Sequence, residues 1–378
     1  LASVSSHAFF IVEYGALNME KIKLVSDYME GCCPEILKRF SDINMEKNSG
    51  YGTDVYSESA RQKIRAACEA PDAAIYFLVG GTQTNETVIS SVLRSYEGVL
   101  AADTGHVNTH EAGAIEHGGH KVLALPAVDG KISAAMVEDY MKVFFADANH
   151  EHEVAPGMIY ISQPTEYGTL YTLSELTELR KVADRYELKV FVDGARLGYG
   201  LAAARYDSEH GSTLAAPDDA VDLPALARLS DVFYIGGTKV GALFGEAVVF
   251  PHGDIVPHFY TITKQHGAML AKGWLTGIQF DTLFSDDRYV TISMNAIACA
   301  RKIRNMLLDC GYELYIDSPT NQIFPVVTDD FAAKLSETVD YGFMNSLPGG
   351  KQVIRFCTSW ATPEDDVDRL SEIIRALA

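Results

Sequence analysis

What this sequence lacks narrows it first. None of its six cysteines, Cys32, Cys33, Cys68, Cys299, Cys310 and Cys357, sits in a Cys-x-x-Cys unit or a paired spacing. That speaks against a disulfide framework and for free thiols in a reducing compartment, the cytoplasm. No apolar run reaches the ~20 residues that a membrane helix needs. The stretch Ala8–Val12 is short, closes on Glu13 and has no basic residue before it, so it is not read as a signal peptide. Basic charge is also scarce: 31 Lys and Arg stand against 51 Asp and Glu, a net charge of −20. Such a surface does not track phosphate backbones or anionic lipid, which sets aside nucleic acid and membranes as partners. Internal repeats and low-complexity linkers are absent too, so any domain boundary must be read from pattern alone.

What is there describes an ordinary globular chain, 47% hydrophobic over 378 residues. That length suits a large domain with a smaller one attached. From about residue 72, apolar strands alternate with amphipathic helices, the pattern of a parallel sheet covered on both faces. The predicted strands are Ala74–Val79, Val99–Ala102, Lys121–Leu125, Met158–Ile161, Lys189–Val192, Val232–Ile235 and Ala247–Phe250. The predicted helices between them are Glu86–Tyr96, Ala134–Phe145, Leu173–Tyr186 and Leu223–Leu229, with Thr172 and Glu175 spaced as a capping box. Beyond about residue 275 the rhythm changes to a long helix near Tyr289–Cys310, short strands at Gln322–Val327 and Val353–Phe356, and a last helix opened by Thr362-Pro363. The expected division is an extension over residues 1–18, a segment 19–50 shared between active site and small domain, a large domain over 51–275, and a small α+β domain over 276–378.

Two strand ends carry most of the chemistry. Val190–Val192 runs into Asp193-Gly194-Ala195-Arg196, and Val232–Ile235 runs into Gly236-Gly237-Thr238-Lys239. A parallel sheet presents its chemistry at the carboxyl ends of its strands, so Asp193 and Lys239 can meet in one crevice. Singly each reads as a turn aspartate or a surface lysine. Together they are the two groups that pyridoxal phosphate asks of a protein, a Schiff-base lysine and an acid for the pyridinium nitrogen. Gly80-Gly81-Thr82-Gln83-Thr84-Asn85 follows a strand and opens a helix, a place where backbone N–H groups can receive a phosphate or simply make a turn. It matches neither the dinucleotide Gly-x-Gly-x-x-Gly spacing nor a P-loop, which disfavours NAD and ATP. His106 and His110 are four apart, but Val107 stands where a zinc-protease helix needs Glu, so no metal is assigned. The two then read as a satisfied structural pair or, for His106 alone, as a flat ring suited to covering a flat cofactor. His150–Glu153 reads as a solvated turn. Arg355, embedded in Val353-Ile354-Arg355-Phe356, needs an anion, either a substrate carboxylate or an internal acid.

These residues resemble the threonine aldolase family of pyridoxal-phosphate enzymes, within the β-eliminating lyases on the aspartate-aminotransferase fold (fold type I). The resemblance runs from about Lys21 to the C-terminus through Ser26-Asp27-Tyr28, Gly52–Tyr56, Gly80–Asn85, His106 with Glu111, Asp193–Arg196, Lys239, Lys264 and Arg355. It implies an α/β large domain with a mainly parallel seven-stranded sheet and a smaller α+β domain. It implies that Lys239 holds the cofactor, Asp193 pairs with the ring nitrogen, His106 stacks on the ring, and Gly81, Thr82, Arg196 and Lys264 complete the cofactor site. Ser26, Arg196 and Arg355 would receive the substrate carboxylate. The implied reaction is cleavage of L-threonine or L-allo-threonine to glycine and acetaldehyde, in a homodimer or dimer of dimers with shared active sites. Thr165-Glu166 stands where many bacterial relatives carry Thr-His. Glu166 would then take the β-hydroxyl proton, directly or through water, or would only orient Thr165 and His106. Two rivals are β-elimination, whose enzymes carry a second lysine where this chain has Thr238, and a cofactor-free binding protein on the same fold.

Overall fold

The structure is a computed structural model that describes residues 21–377. The expected extension over residues 1–18 lies outside the described residues. Among the described residues there are twelve strands: β1 Ile22–Leu24, β2 Ala74–Leu78, β3 Glu97–Ala102, β4 Val122–Leu125, β5 Ala155–Ser162, β6 Lys189–Asp193, β7 Val232–Gly236, β8 Glu246–Phe250, β9 Gln322–Ile323, β10 Val326–Thr328, β11 Val339–Leu347 and β12 Lys351–Cys357. Seven of them form one sheet in the order β2-β8-β7-β6-β5-β3-β4. β8 runs antiparallel to both its neighbours, and every other pairing is parallel. The mainly parallel seven-stranded sheet expected from the sequence is therefore present, each predicted strand lying on an observed one.

The strands are apolar because helices cover both faces of the sheet. β6, β7 and β8 are buried at nearly every position, and alternate residues serve opposite layers. Val190, Val192, Phe233 and Val249 join one cluster, while Phe191, Val232, Tyr234, Val248 and Phe250 join the other. A hydrophobic run of this kind is what a parallel strand needs when neither face meets water. The helix Leu173–Tyr186 starts where predicted, with Thr172 and Glu175 forming the capping box. Gly81–Val92 begins five residues before the predicted Glu86, because the polar stretch read as a turn is itself the first turn of the helix. The last helix spans Glu364–Leu377, one residue after the expected Pro363.

A second sheet has the order β1-β11-β12-β10, with β9 paired to β12. Its apolar face packs under the helices Arg288–Asp309 and Glu364–Leu377. β1 and β11 were not predicted. β1 is only three residues long and joins β11 in parallel from the far end of the chain. β11 reads Val-Asp-Tyr-Gly-Phe-Met-Asn-Ser-Leu, is half-exposed over most of its length and breaks register between Phe343 and Asn345, so it shows no clean alternation.

One buried ion pair ties the large sheet's cover to the long helix. Asp207, in Leu197–His210, accepts from Arg301 Nη2 at 2.8 Å and from the Ala215 N–H at 2.6 Å, and is fully buried. Removing one partner of such a pair strands the other charge away from water. Asp207→Ala should therefore lower the unfolding free energy by about 3–5 kcal/mol in urea titration, whereas exposed Glu337→Ala should stay within about 0.5 kcal/mol.

Candidate active site

The carboxyl ends of β2, β3, β5, β6 and β7 open into one cavity of ≈ 330 Å³. Gly81, Thr82, His106, Glu166, Asp193, Arg196 and Lys239 all line it. Ser26, Lys264 and Arg355 do not. Two glycines make the convergence possible. A Cβ on Gly194 would stand 2.0 Å from the Tyr234 carbonyl oxygen, and one on Gly236 would stand 2.4 Å from that of Ala195. The ends of β6 and β7 thus touch backbone to backbone, which brings Asp193 and Lys239 to one wall.

Asp193 is buried at 4% exposure and holds four donors. The Tyr160 hydroxyl and Asn85 Nδ2 (3.0 Å) donate to Oδ2, and the Tyr234 hydroxyl (2.5 Å) and the Ala195 N–H (2.9 Å) donate to Oδ1. Burial pushes its carboxyl up, but the His106 charge and these donors outweigh that, so the group stays below the usual aspartate range. Asn85 also donates to Glu111 Oε1 at 2.9 Å, and His106 Nδ1 binds the same oxygen at 2.6 Å. Burial alone would push the imidazole down. The Glu111 bond and the Asp193 charge push harder in the other direction, and His106 ends above its ordinary value.

Lys239 moves the opposite way. Burial and then the Arg196 charge lower its ammonium against the pull of Asp27, Asp193 and Glu246, which favours a neutral, nucleophilic amine. The helix Gly81–Val92 has neither a side-chain cap nor an acidic residue in its first turn. Its leading N–H groups face the cavity through Gly81 and Thr82 and suit an anion. An amine, an ionised acid and an uncapped helix start in one cavity are the parts that pyridoxal phosphate requires.

Arg196 is held in a two-point pair. Its Nε donates to Asp27 Oδ2 at 2.7 Å and its Nη2 to Oδ1 at 3.0 Å. Despite burial, that pair and Asn321 hold Asp27 down at about 2. Arg355 sits behind the segment that carries Ser26, its Nη2 donating to the Val25 carbonyl at 3.0 Å and its Nη1 to Gln322 Oε1 at 3.1 Å. Its Nε is buried without a partner, and no carboxylate pairs with it among the described residues. Lys264 projects from the helix Phe259–Gln265 over the Tyr51 ring at 4.4 Å, outside this cavity. Glu166 Oε1 accepts from the His106 N–H at 2.9 Å and Ser162 Oγ at 2.7 Å. Burial raises its carboxyl above the usual range despite both bonds.

Sequence reasoning missed Asp27, Asn85, Tyr160, Tyr234, Ser162 and Glu246. Asp27, Asn85 and Tyr234 lay inside the motifs already singled out, but their targets are residues far along the chain. For Tyr160 the available signal was a phenol inside an otherwise aliphatic central strand, since a buried phenol needs a hydrogen-bond partner.

Comparison with known proteins agrees with this geometry. Residues 23–309 match the beta-eliminating lyase family. The solved structure of Leishmania major threonine aldolase is 37% identical, covers 94% of this chain and all of its own, and superposes with a TM-score of 0.87. A low specificity L-threonine aldolase of Pseudomonas aeruginosa is 26% identical over 93% of this chain and 96% of its own length. Its counterpart from another Pseudomonas strain is 28% identical over 94% and 97%. The chain belongs to the beta-eliminating lyases, in their threonine aldolase family, and is a carbon–carbon lyase of fold type I.

Proposed function

We propose that this lyase uses pyridoxal phosphate to cleave L-threonine, L-allo-threonine and related β-hydroxy amino acids into glycine and an aldehyde, acetaldehyde in the case of threonine. The observation that carries the proposal is the convergence of Lys239, ionised Asp193 and the uncapped helix start at Gly81 and Thr82 in one cavity. When bound, the cofactor supplies an aldehyde that links to amines and a ring that accepts the electrons of the broken Cα–Cβ bond.

The chain's own groups then divide the work. Lys239 supplies the amine that anchors the cofactor. Asp193, ionised and fixed by four donors, holds a proton on the ring nitrogen. His106 would cover the cofactor, its imidazole fixed by Glu111. In this proposal Ser26, Arg196 and Arg355 receive the carboxylate, although of the three only Arg196 lines the cavity. Arg196 does so with the N–H groups that Asp27 leaves over, and Arg355 with a charge that no acid neutralises among the described residues. Fixing the carboxylate would orient the substrate's Cα bonds against the bound cofactor. Glu166 takes the β-hydroxyl proton. Burial raises its carboxyl above the usual range and so strengthens it as a base, and because both hydrogen bonds fall on Oε1, we assign the hydroxyl to Oε2.

Lys264 lies outside its own cavity, which supports a homodimer or dimer of dimers in which it serves the partner's cofactor. The division into 19–50, 51–275 and 276–378 belongs to the same proposal. It is supported by β1, which joins the smaller sheet while Asp27 and Tyr28 reach the active site. A cytoplasmic location completes the reading; no helix among the described residues is long and apolar enough to cross a membrane.

Borohydride reduction followed by peptide mapping should place the pyridoxyl group on Lys239, and threonine should yield glycine and acetaldehyde. A label on Lys264 or Lys272, or ammonia and a 2-oxo acid as main products, would overturn the assignment. Arg355→Ala should cost at least about 2 kcal/mol in kcat/KM; unchanged kinetics would move the carboxylate anchor elsewhere. Glu166→Gln keeps shape and hydrogen bonding but cannot accept the proton. It should lower kcat by about 10²-fold with the cofactor's absorption spectrum unchanged, and cleavage within a few-fold of the parent would leave Glu166 an orienting group.

A further inference from the structure

One buried acid in the cavity has no task in this scheme. Glu246 opens β8 and is 3% exposed. In the sheet it stands opposite Leu78 of β2 on one side and Gly236 of β7 on the other. Those are the two strand ends from which the Gly80–Thr82 turn and the Gly237–Lys239 turn begin. Glu246 and both turns line the same cavity. Its oxygens are held separately: the Gly237 N–H donates to Oε2 at 3.1 Å and Thr238 Oγ1 to Oε1 at 2.8 Å. The Thr238 oxygen accepts the Gly245 N–H at 3.1 Å, so its hydroxyl proton is committed to Glu246. No cation pairs with Glu246 among the described residues.

A carboxylate here would oppose the group for which the neighbouring helix start is built. A phosphate ester carries close to two negative charges above its second pKa of about 6, and a second anion in the same cavity repels it unless neutralised. We propose, on the cofactor reading above, that Glu246 is a proton-carrying member of the phosphate site. It takes up a proton as the dianion enters and turns its O–H toward the cavity, so binding of a phosphorylated ligand is coupled to uptake of one proton.

The surroundings agree. The charged and titratable groups facing Glu246 are Lys239, Asp193, Tyr234 and Tyr289. Tyr289 donates its hydroxyl to the Gly236 carbonyl at 2.8 Å and stays neutral. Burial, helped by Asp193, raises the carboxyl to about 8 against Thr238, Lys239 and the Gly237 N–H, which pull it down. Near pH 7 the empty site therefore already carries the proton in most molecules and takes up little on binding. Above pH 8 it is ionised, and an arriving dianion draws the proton in. Uptake then approaches one per chain, and affinity for the phosphorylated ligand falls by about tenfold per pH unit.

The test is calorimetric titration of the cofactor-free protein with pyridoxal phosphate and with pyridoxal, from pH 7 to 9.5, in buffers of differing ionisation enthalpy. Both ligands share the reaction with Lys239, so their difference isolates the phosphate. The expected result is nearly one more proton taken up with pyridoxal phosphate than with pyridoxal at pH 9, and loss of that difference in Glu246→Gln. An equal difference in parent and variant overturns the proposal. If the variant does not fold, the parent still decides, because no difference between the two ligands at pH 9 also overturns it. A parent protein that binds neither ligand removes the cofactor reading and this inference with it, whereas binding without the proton difference removes this inference alone.

Discussion

The ionised carboxylate of Asp193 is the constraint on which the rest of the site depends. A bare carboxylate at 4% exposure would be neutralised by burial. Four donors prevent that, and each comes from a different part of the fold: Tyr160 from β5, Tyr234 from β7, Asn85 from the helix after β2, and the Ala195 N–H from the turn that follows β6. Keeping the charge therefore fixes four elements against one another. Both phenols are pushed far above their ordinary range by burial and by Asp193 itself, so they remain protonated and donate at any working pH. Asn85 extends the constraint outward, because its amide also donates to Glu111, which in turn fixes the imidazole of His106.

A second constraint joins the two sheets. Arg196 follows β6, whereas its partner Asp27 follows β1 of the smaller sheet, and Asn321 Nδ2 donates to Asp27 Oδ2 at 2.9 Å. The pair is deeply buried, and a buried pair of this geometry favours a fixed arrangement more than net stability. The sign of its pH dependence follows from the depressed Asp27 carboxyl. Its contribution is complete above the unfolded value near 3.8 and is lost as the pH falls toward about 2. Across the neutral range the clamp is constant, so Arg196 presents the same face to the cavity wherever the groups around it titrate.

Much of this was legible in the sequence, and the rest was hidden for identifiable reasons. Strands β2 to β8 are short apolar runs bounded by glycine or polar residues, and those announce themselves. The helix Leu173–Tyr186 carries its own cap in Thr172 and Glu175. β11 does not, because a strand with a glycine, a bulge and half-exposed residues has no period to read. In the site, Asp193 and Lys239 were visible because each ends a strand in a glycine turn. Glu246 was invisible because it begins a strand, where an acid reads as a solvated end. Its burial comes from pairing with β2, which lies well over a hundred residues earlier in the chain. Tertiary pairing of that kind leaves no local trace.

The cavity finally shows how one small space can hold three acids, two buried and one half-buried, with different charge states. Asp193, Glu166 and Glu246 share the burial that should raise all of them. What separates them is the balance of donors and charge. Asp193 has four donors and the neighbouring His106 imidazole, and falls below its ordinary range. Glu166 has two donors on a single oxygen and rises. Glu246 has one donor on each oxygen and only the depressed ammonium of Lys239 for compensation, and rises to about 8. Environments that push like groups apart are how one site can keep a permanent anion, the proposed base and the proposed proton carrier at the same pH. The permanent anion stands where a positive ring nitrogen would be held. The proton carrier stands beside the helix start that would receive the phosphate, where a permanent anion would be repelled. Placement and charge state agree at both ends of the cavity, and an arrangement that merely stabilised the fold would have no need of that agreement.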